Sequence, residues 1–250
     1  MGVLKFNGTS DRLKWTTLAS ALSTVSAGAY TSAYVFKRAT VGGDFDALSY
    51  LLSGTGNGVA EAGASITTGN RLLNDAGGSE DTNASNPLFN TTNAVYMAVV
   101  SKAAGNGAQI YSQFVKSSST WNHYTSSALG DQTAATMLEI GAWQAANDFF
   151  RDWMGIVAYW SGEMTQANKQ ALATNWKTSD LWNSAHGQPV FLAQLNIAGA
   201  SVVDLAGNAS ALTATGTTLD SGETLSAWNF DGTGAGGGGS TPLDLSIPSF

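Results

Sequence analysis

Apolar residues recur at every second position in several stretches of this chain, the period of a β-strand that turns one face to a core. Leu138, Ile140 and Ala142 alternate, and so do Met154, Ile156, Ala158 and Trp160. Thr31 to Phe36 (TSAYVF), Ala47 to Leu52 (ALSYLL), Val95 to Ser101 (VYMAVVS) and Gln109 to Val115 (QIYSQFV) predict further strands. The last two flank Gly105-Asn106-Gly107. Asn-Gly supplies the positive φ angles of a tight turn, so these strands are expected to pair as an antiparallel hairpin. After Gly162 the period changes. Thr165 is placed to cap a helix, and Ala167, Ala171, Leu172 and Trp176 fall along one side of it.

From Gly54 to Asn93 the chain is rich in Gly, Asn, Thr and Ser, which predicts loop with a weak strand at Arg71 to Asn74. Beyond the helix, Val190 to Ile197 alternates and Asp204-Leu205-Ala206-Gly207-Asn208 predicts a turn. Ala211 to Thr215 and Leu225 to Phe230 supply candidate strands. Gly232 to Ser240 (GTGAGGGGS) is a flexible linker by composition. It leads to PLDLSIPSF, in which Pro242, Leu243, Leu245, Ile247 and Phe250 form an apolar repeat suited to docking on a partner's sheet edge. Three segments are expected: a sandwich over 1–183, a β extension over 184–231, and a linker with docking tail over 232–250.

Several of these residues carry a family pattern. Ile140-Gly141, then Phe150, Gly155, Ile156, Val157 and Tyr159, then the Thr165 helix, resemble the closing strands and helix of laminin-G-like, concanavalin-type jelly rolls. LKFNGTSDRLKW, Leu4 to Trp15, resembles that family's first strand, turn and second strand. The stretch from Leu181-Trp182-Asn183 through Asp204-Leu205-Ala206-Gly207-Asn208 to Trp228 is similar to the C-terminal part of minor tail proteins of actinobacterial phages. The resemblance implies an all-β fold: a concanavalin-like antiparallel jelly-roll sandwich with one short C-proximal helix and a small C-terminal β extension. Whether that extension lengthens the sandwich or stands as a separate unit stays open at this point.

Composition narrows the classes. Charged residues make up 12% of the chain, against about 25% in ordinary soluble domains. The net charge of −7 argues against nucleic acid as a partner. There is no cysteine, so disulfides and thiolate metal sites are excluded. No stretch approaches the roughly 20 apolar residues that cross a bilayer, and the N-terminal residues lack an apolar leader. Assembly in a host cytoplasm is the expectation that follows, without membrane insertion.

Glycan cleavage would require catalytic spacing among the carboxylates. Retaining glycosidases need two about 5 Å apart, as alternate strand positions provide. Asp44 and Asp46 have that spacing without a third partner, and His123 and His186 belong to no metal or nucleophile motif. The chain is therefore expected not to be an enzyme. Cofactors are expected to be none, with Ca2+ as the one candidate, since oxygen-rich rims of such sandwiches hold that ion. Asp148 and Asp152 are the candidate ligands, with Asp75, Glu80, Asp81, Asn83 and Asn147 as further oxygen donors in loops. Sugar binding needs aromatic faces beside amide and hydroxyl groups. Trp121, Asn122, His123, Tyr124, Trp143 and Gln144 offer that chemistry.

The combined expectation is a non-enzymatic virion component, a minor tail protein whose lectin-like domain contacts a host-surface glycan. Its partners would be other virion proteins and further copies of itself, a trimer being the simplest assembly. A capsid decoration protein and a free-standing lectin or adhesin are the alternatives.

Overall fold

The structure, a computed structural model, describes residues 2–41, 46–54, 61–67, 69, 72–76, 80–81, 89–105, 108–115, 120–128, 131–143, 148–174, 181–224 and 228. The Asn106-Gly107 turn, Gln144 and the docking tail Pro242 to Phe250 lie outside the described residues.

The chain opens with β1 (Val3–Asn7) and β2 (Arg12–Leu18), then a four-residue helix α1 (Ser20–Ser23), β3 (Tyr30–Arg38) and β4 (Asp46–Leu52). The Asn7-Gly8 turn is built by side chains. Asn7 Oδ1 accepts the backbone N–H of Thr9, Ser10 and Asp11, while Asp11 returns a carboxylate oxygen to the N–H of Asn7. Gly8, at φ +74°, takes the left-handed position that Asx-turn geometry requires. Strands β5 (Glu61–Ile66), β6 (Leu72–Ala76) and β7 (Glu80–Asp81) follow, then β8 (Ala94–Lys102), β9 (Ala108–Val115) and β10 (Thr120–Ala128). After β11 (Met137–Ile140), the short pair β12 (Ala142–Trp143) and β13 (Asp148–Phe149) leads into β14 (Arg151–Ser161) and helix α2 (Gln166–Thr174). The described chain ends with β15 (Phe191–Gln194), β16 (Ala209–Thr215) and β17 (Thr218–Asp220).

These strands form two facing antiparallel sheets. The first runs β10-β9-β8-β3-β14-β1-β17, with β15 on the C-terminal half of β14, and the second runs β16-β2-β11-β4-β5-β6-β7. Between them Leu4, Phe6, Leu13, Trp15, Tyr34, Phe36, Leu48, Leu51, Leu138, Ile140, Met154, Val157 and Tyr159 form one core. The chain is an all-β jelly-roll sandwich.

Alternation alone predicts strands with one buried face, yet β3, β8 and β14 are buried almost throughout. The reason is a second apolar layer on the far side of the first sheet. Val35, Met97, Val99, Ile156, Ala158 and Trp160 are covered there by Met164, Leu172, Leu181 and Trp228. Strands buried on both faces read as near-continuous apolar runs, which is why VYMAVVS and MGIVAYW carry so few polar residues. Helix α2 supplies part of this cover, and its start is capped as expected, with the N–H of Asn168 donating to Thr165 Oγ1 at 3.2 Å.

Two further features follow from strand pairing. The stretch expected as loop contains β5, which pairs with both β4 and β6. Its small residues misled, but they have a packing cause: Gly63 is paired with Tyr50, and a Cβ there would lie 2.4 Å from the Tyr50 ring. The segment after α2 is sewn into the sandwich, because β15 pairs with β14, β16 with β2 and β17 with β1. The turn that makes this possible centres on Asp204. Its carboxylate accepts the N–H groups of Leu192, Ala206, Asn208 and Ala209 at 2.7 to 3.0 Å.

Candidate functional site

The outer face of the second sheet is where apolar, charged and hydroxyl side chains meet. In β2 the period of two sends Leu13 and Trp15 into the core and leaves Arg12 and Lys14 on the other face, both half-buried. Cross-strand register then places one row of residues across the sheet: Thr213 opposite Lys14, Lys14 opposite Glu139, Glu139 opposite Tyr50, and Tyr50 opposite Gly63. The row continues by backbone register to Asp75 and Glu80. Lys14 Nζ sits 3.5 Å from Glu139 Oε1. Glu139 is buried beneath it, and no donor reaches its Oε2 among the described residues. A buried carboxylate with one bare oxygen favours a cation held close above it, so Glu139 positions Lys14.

Beside this pair stands an aromatic step. The Tyr50 ring fills the space beside Gly63 with its hydroxyl bonded to Ser65 Oγ, and the Trp143 ring packs on it at 6.3 Å between centroids and 42° between planes. Trp143 is half-buried. Gly141 makes the turn that carries β11 into β12. It holds φ +79°, and a Cβ there would be 2.4 Å from the Phe6 ring, so glycine alone fits.

A second constellation forms at the rim where β3, β4 and β14 converge. Arg38 donates to Asp46 Oδ2 at 2.6 Å and to the carbonyl of Phe89 at 3.0 Å, and Arg151 Nε stands 3.9 Å from Asp46 Oδ1. Burial pushes the Asp46 carboxyl up to about 6, although Arg38 and Arg151 pull it down. Asp152, held at φ +87°, uses one carboxylate oxygen to accept the N–H groups of Ala39 and Thr40 at 2.8 and 3.0 Å. Asp148, the other candidate calcium ligand, is paired with Trp143 in the β12–β13 hairpin. Among the described residues no group of three His, Cys, Asp or Glu side chains comes together to hold a metal.

Of the sequence-predicted sugar contacts, Trp121, Asn122, His123 and Tyr124 lie on β10, the edge strand of the first sheet, paired with Phe114, Gln113, Ser112 and Tyr111. Trp143 belongs to the other side of the molecule, against the second sheet. The sequence reading missed Arg12, Lys14, Glu139 and Tyr50. The first three were visible as polar residues alternating with core positions in RLKW and MLEI. Their association was not, since β2 and β11 are far apart in the chain and only register joins them.

No family model matches the chain, and no curated protein matches its sequence. Solved structures share its fold. The heptameric SAP-like pentraxin of Limulus polyphemus aligns at TM-score 0.51 and 9% identity, covering 86% of this chain and 93% of that one. The full-length tailspike protein 2 of an Escherichia coli O157:H7 bacteriophage aligns at TM-score 0.50 and 11% identity, covering 79% of this chain and 27% of that one. Trypanosoma rangeli sialidase in complex with sialic acid aligns at TM-score 0.48 and 15% identity, covering 67% of this chain and 27% of that one. These likenesses are of fold.

The expectation that the chain is not an enzyme does not stand: sialidases and an enzymatically active tailspike domain are among the solved structures that match it, a likeness of fold alone. The physical fault lies in the criterion. Asp46 and Asp152 are brought into electrostatic contact from strands far apart in sequence, which spacing along one strand does not detect. No helix among the described residues is long and apolar enough to cross a membrane.

Proposed function

We propose that this chain is a glycan-binding component of a phage tail, and that it contacts its ligand through the outer face of the second sheet. The observation that carries the reading is the half-buried Trp143 packed at a tilt against Tyr50 beside the Lys14–Glu139 pair. An aromatic face gives a sugar ring an apolar platform, and the flanking cation and hydroxyls supply its directional hydrogen bonds. Thr213 and Thr215, exposed on β16 opposite Lys14 and Arg12, extend the hydroxyl supply. The placement in a tail draws its support from the tail-protein pattern in the C-terminal sequence and from the tailspike among the matched folds. In this reading the protein acts as a homo-oligomer within the virion, its 232–250 segment reaching a neighbouring subunit.

A glycan array probed with the full chain tests the reading. Trp143→Ala is expected to weaken the bound glycans by about tenfold or more, the worth of one stacked aromatic contact, with thermal unfolding of the variant still cooperative. Array binding unchanged by this substitution would remove Trp143 and its face from the proposal.

A further inference from the structure

We infer that the glycan taken by this face carries an anionic group, and that Arg12 and Lys14 read it. The inference rests on the glycan reading and narrows its ligand class. Among the described residues, the other Lys and Arg side chains are all engaged. Lys37, Arg38, Lys102 and Arg151 face Glu223, Asp46, Asp131 and Asp46 in turn. Lys5 lies over the Trp153 ring at 4.7 Å, and Lys169 donates to the carbonyl of Met164. Lys14 is held by Glu139.

Arg12 differs. It has no acceptor, no carboxylate and no ring partner among the described residues, although the chain holds 18 acidic residues to 11 basic ones. It shares the outward face of β2 with Lys14, and of the two only Lys14 has a carboxylate, the buried Glu139, as its partner. Leu13 pairs with Ile140, three residues before Trp143, which puts Arg12 at the end of the sheet where the aromatic step lies. A guanidinium presents a planar fork that matches a carboxylate or a phosphate through two parallel hydrogen bonds. A sugar ring on Trp143 would thus bring its own anion, or that of the next residue, toward Arg12.

Titration calorimetry on the full chain tests this with three probes: an oligouronate, the same oligosaccharide after carboxyl reduction, and a polyol-phosphate oligomer. At least one anionic probe is expected to bind about ten- to a hundredfold more tightly than the reduced one, the range of a charge-assisted contact. Whichever anionic probe binds more tightly identifies the group as carboxylate or phosphate. Arg12→Gln is expected to abolish the preference, and Arg12→Lys to restore part of it, which separates charge reading from misfolding. Equal binding of charged and reduced probes by the native chain would overturn the inference while leaving glycan binding intact. So would a preference that survives Arg12→Gln together with Lys14→Gln. If none of the probes and nothing on the array binds, and Trp143→Ala changes nothing, it is the glycan reading that has failed.

Discussion

Asp46 shows how burial and charge compete at a single residue. Its carboxylate is almost wholly removed from water, gripped by Arg38 at 2.6 Å and approached by Arg151 at 3.9 Å. Ion pairing lowers a carboxyl's affinity for protons and desolvation raises it, and here desolvation wins, leaving the group at about 6 against an ordinary 3.8. The folded chain therefore binds a proton at pH values where the unfolded chain stays ionised. Stability from this group must rise as pH falls through about 6 and level off near 4. Between pH 7 and pH 5 the native chain is expected to gain about 1 kcal/mol from Asp46, and Asp46→Asn to lose that gain. Urea midpoints of the two proteins across this range check the difference. A native chain whose Asp46-dependent stability falls with acid would show the ion pair outweighing burial.

At the scale of elements, Trp228 does the work of a clasp. Its ring enters the apolar layer on the outside of the first sheet, and its indole N–H donates to Glu223 at 2.8 Å, while Glu223 also pairs with Lys37 on β3. Just upstream Asp220 of β17 accepts from the indole N–H of Trp153 at 2.9 Å. Removing the Trp228 ring leaves a cavity in a layer that cannot collapse, since the sheet beneath it is fixed. Trp228→Ala is expected to cost about 3 to 5 kcal/mol, read as a drop in the urea midpoint at constant slope.

These elements also mark what the sequence made legible. The runs at Tyr30–Arg38, Asp46–Leu52, Ala94–Lys102 and Arg151–Ser161 announced themselves, as did the Asn7-Gly8 turn and the capped helix at Gln166–Thr174. Each is specified by local period or local hydrogen bonding. Glu61–Ile66 stayed hidden because its small residues answer to a Tyr50 ring on another strand. The candidate face was half legible: Trp143 was named for its chemistry, while Arg12 and Lys14 gain meaning only through the register that seats β2 between β11 and β16.

The molecule as a whole is closed by its own C-terminal third. Strands β15, β16 and β17 occupy the free edges left by β14, β2 and β1, so a sandwich ending at residue 183 would expose three lines of unpaired backbone groups. It would also lose Phe191, Leu192, Leu195, Val202 and Trp228 from the two apolar layers. At about 2 kcal/mol for each buried side chain, that loss is roughly 10 kcal/mol, as large as the entire stability of an ordinary domain. A chain of residues 1–183 is therefore expected to show no cooperative urea transition, whereas residues 1–231, which keep every described strand, unfold in one step. Circular dichroism and tryptophan fluorescence followed together give the answer. A cooperative transition for 1–183 near the full chain's midpoint would make the last three strands an accessory to a sandwich that is stable without them. Their absence should also strip the β16 hydroxyls from the proposed glycan face, so loss of fold and loss of binding are expected to arrive together in that truncation.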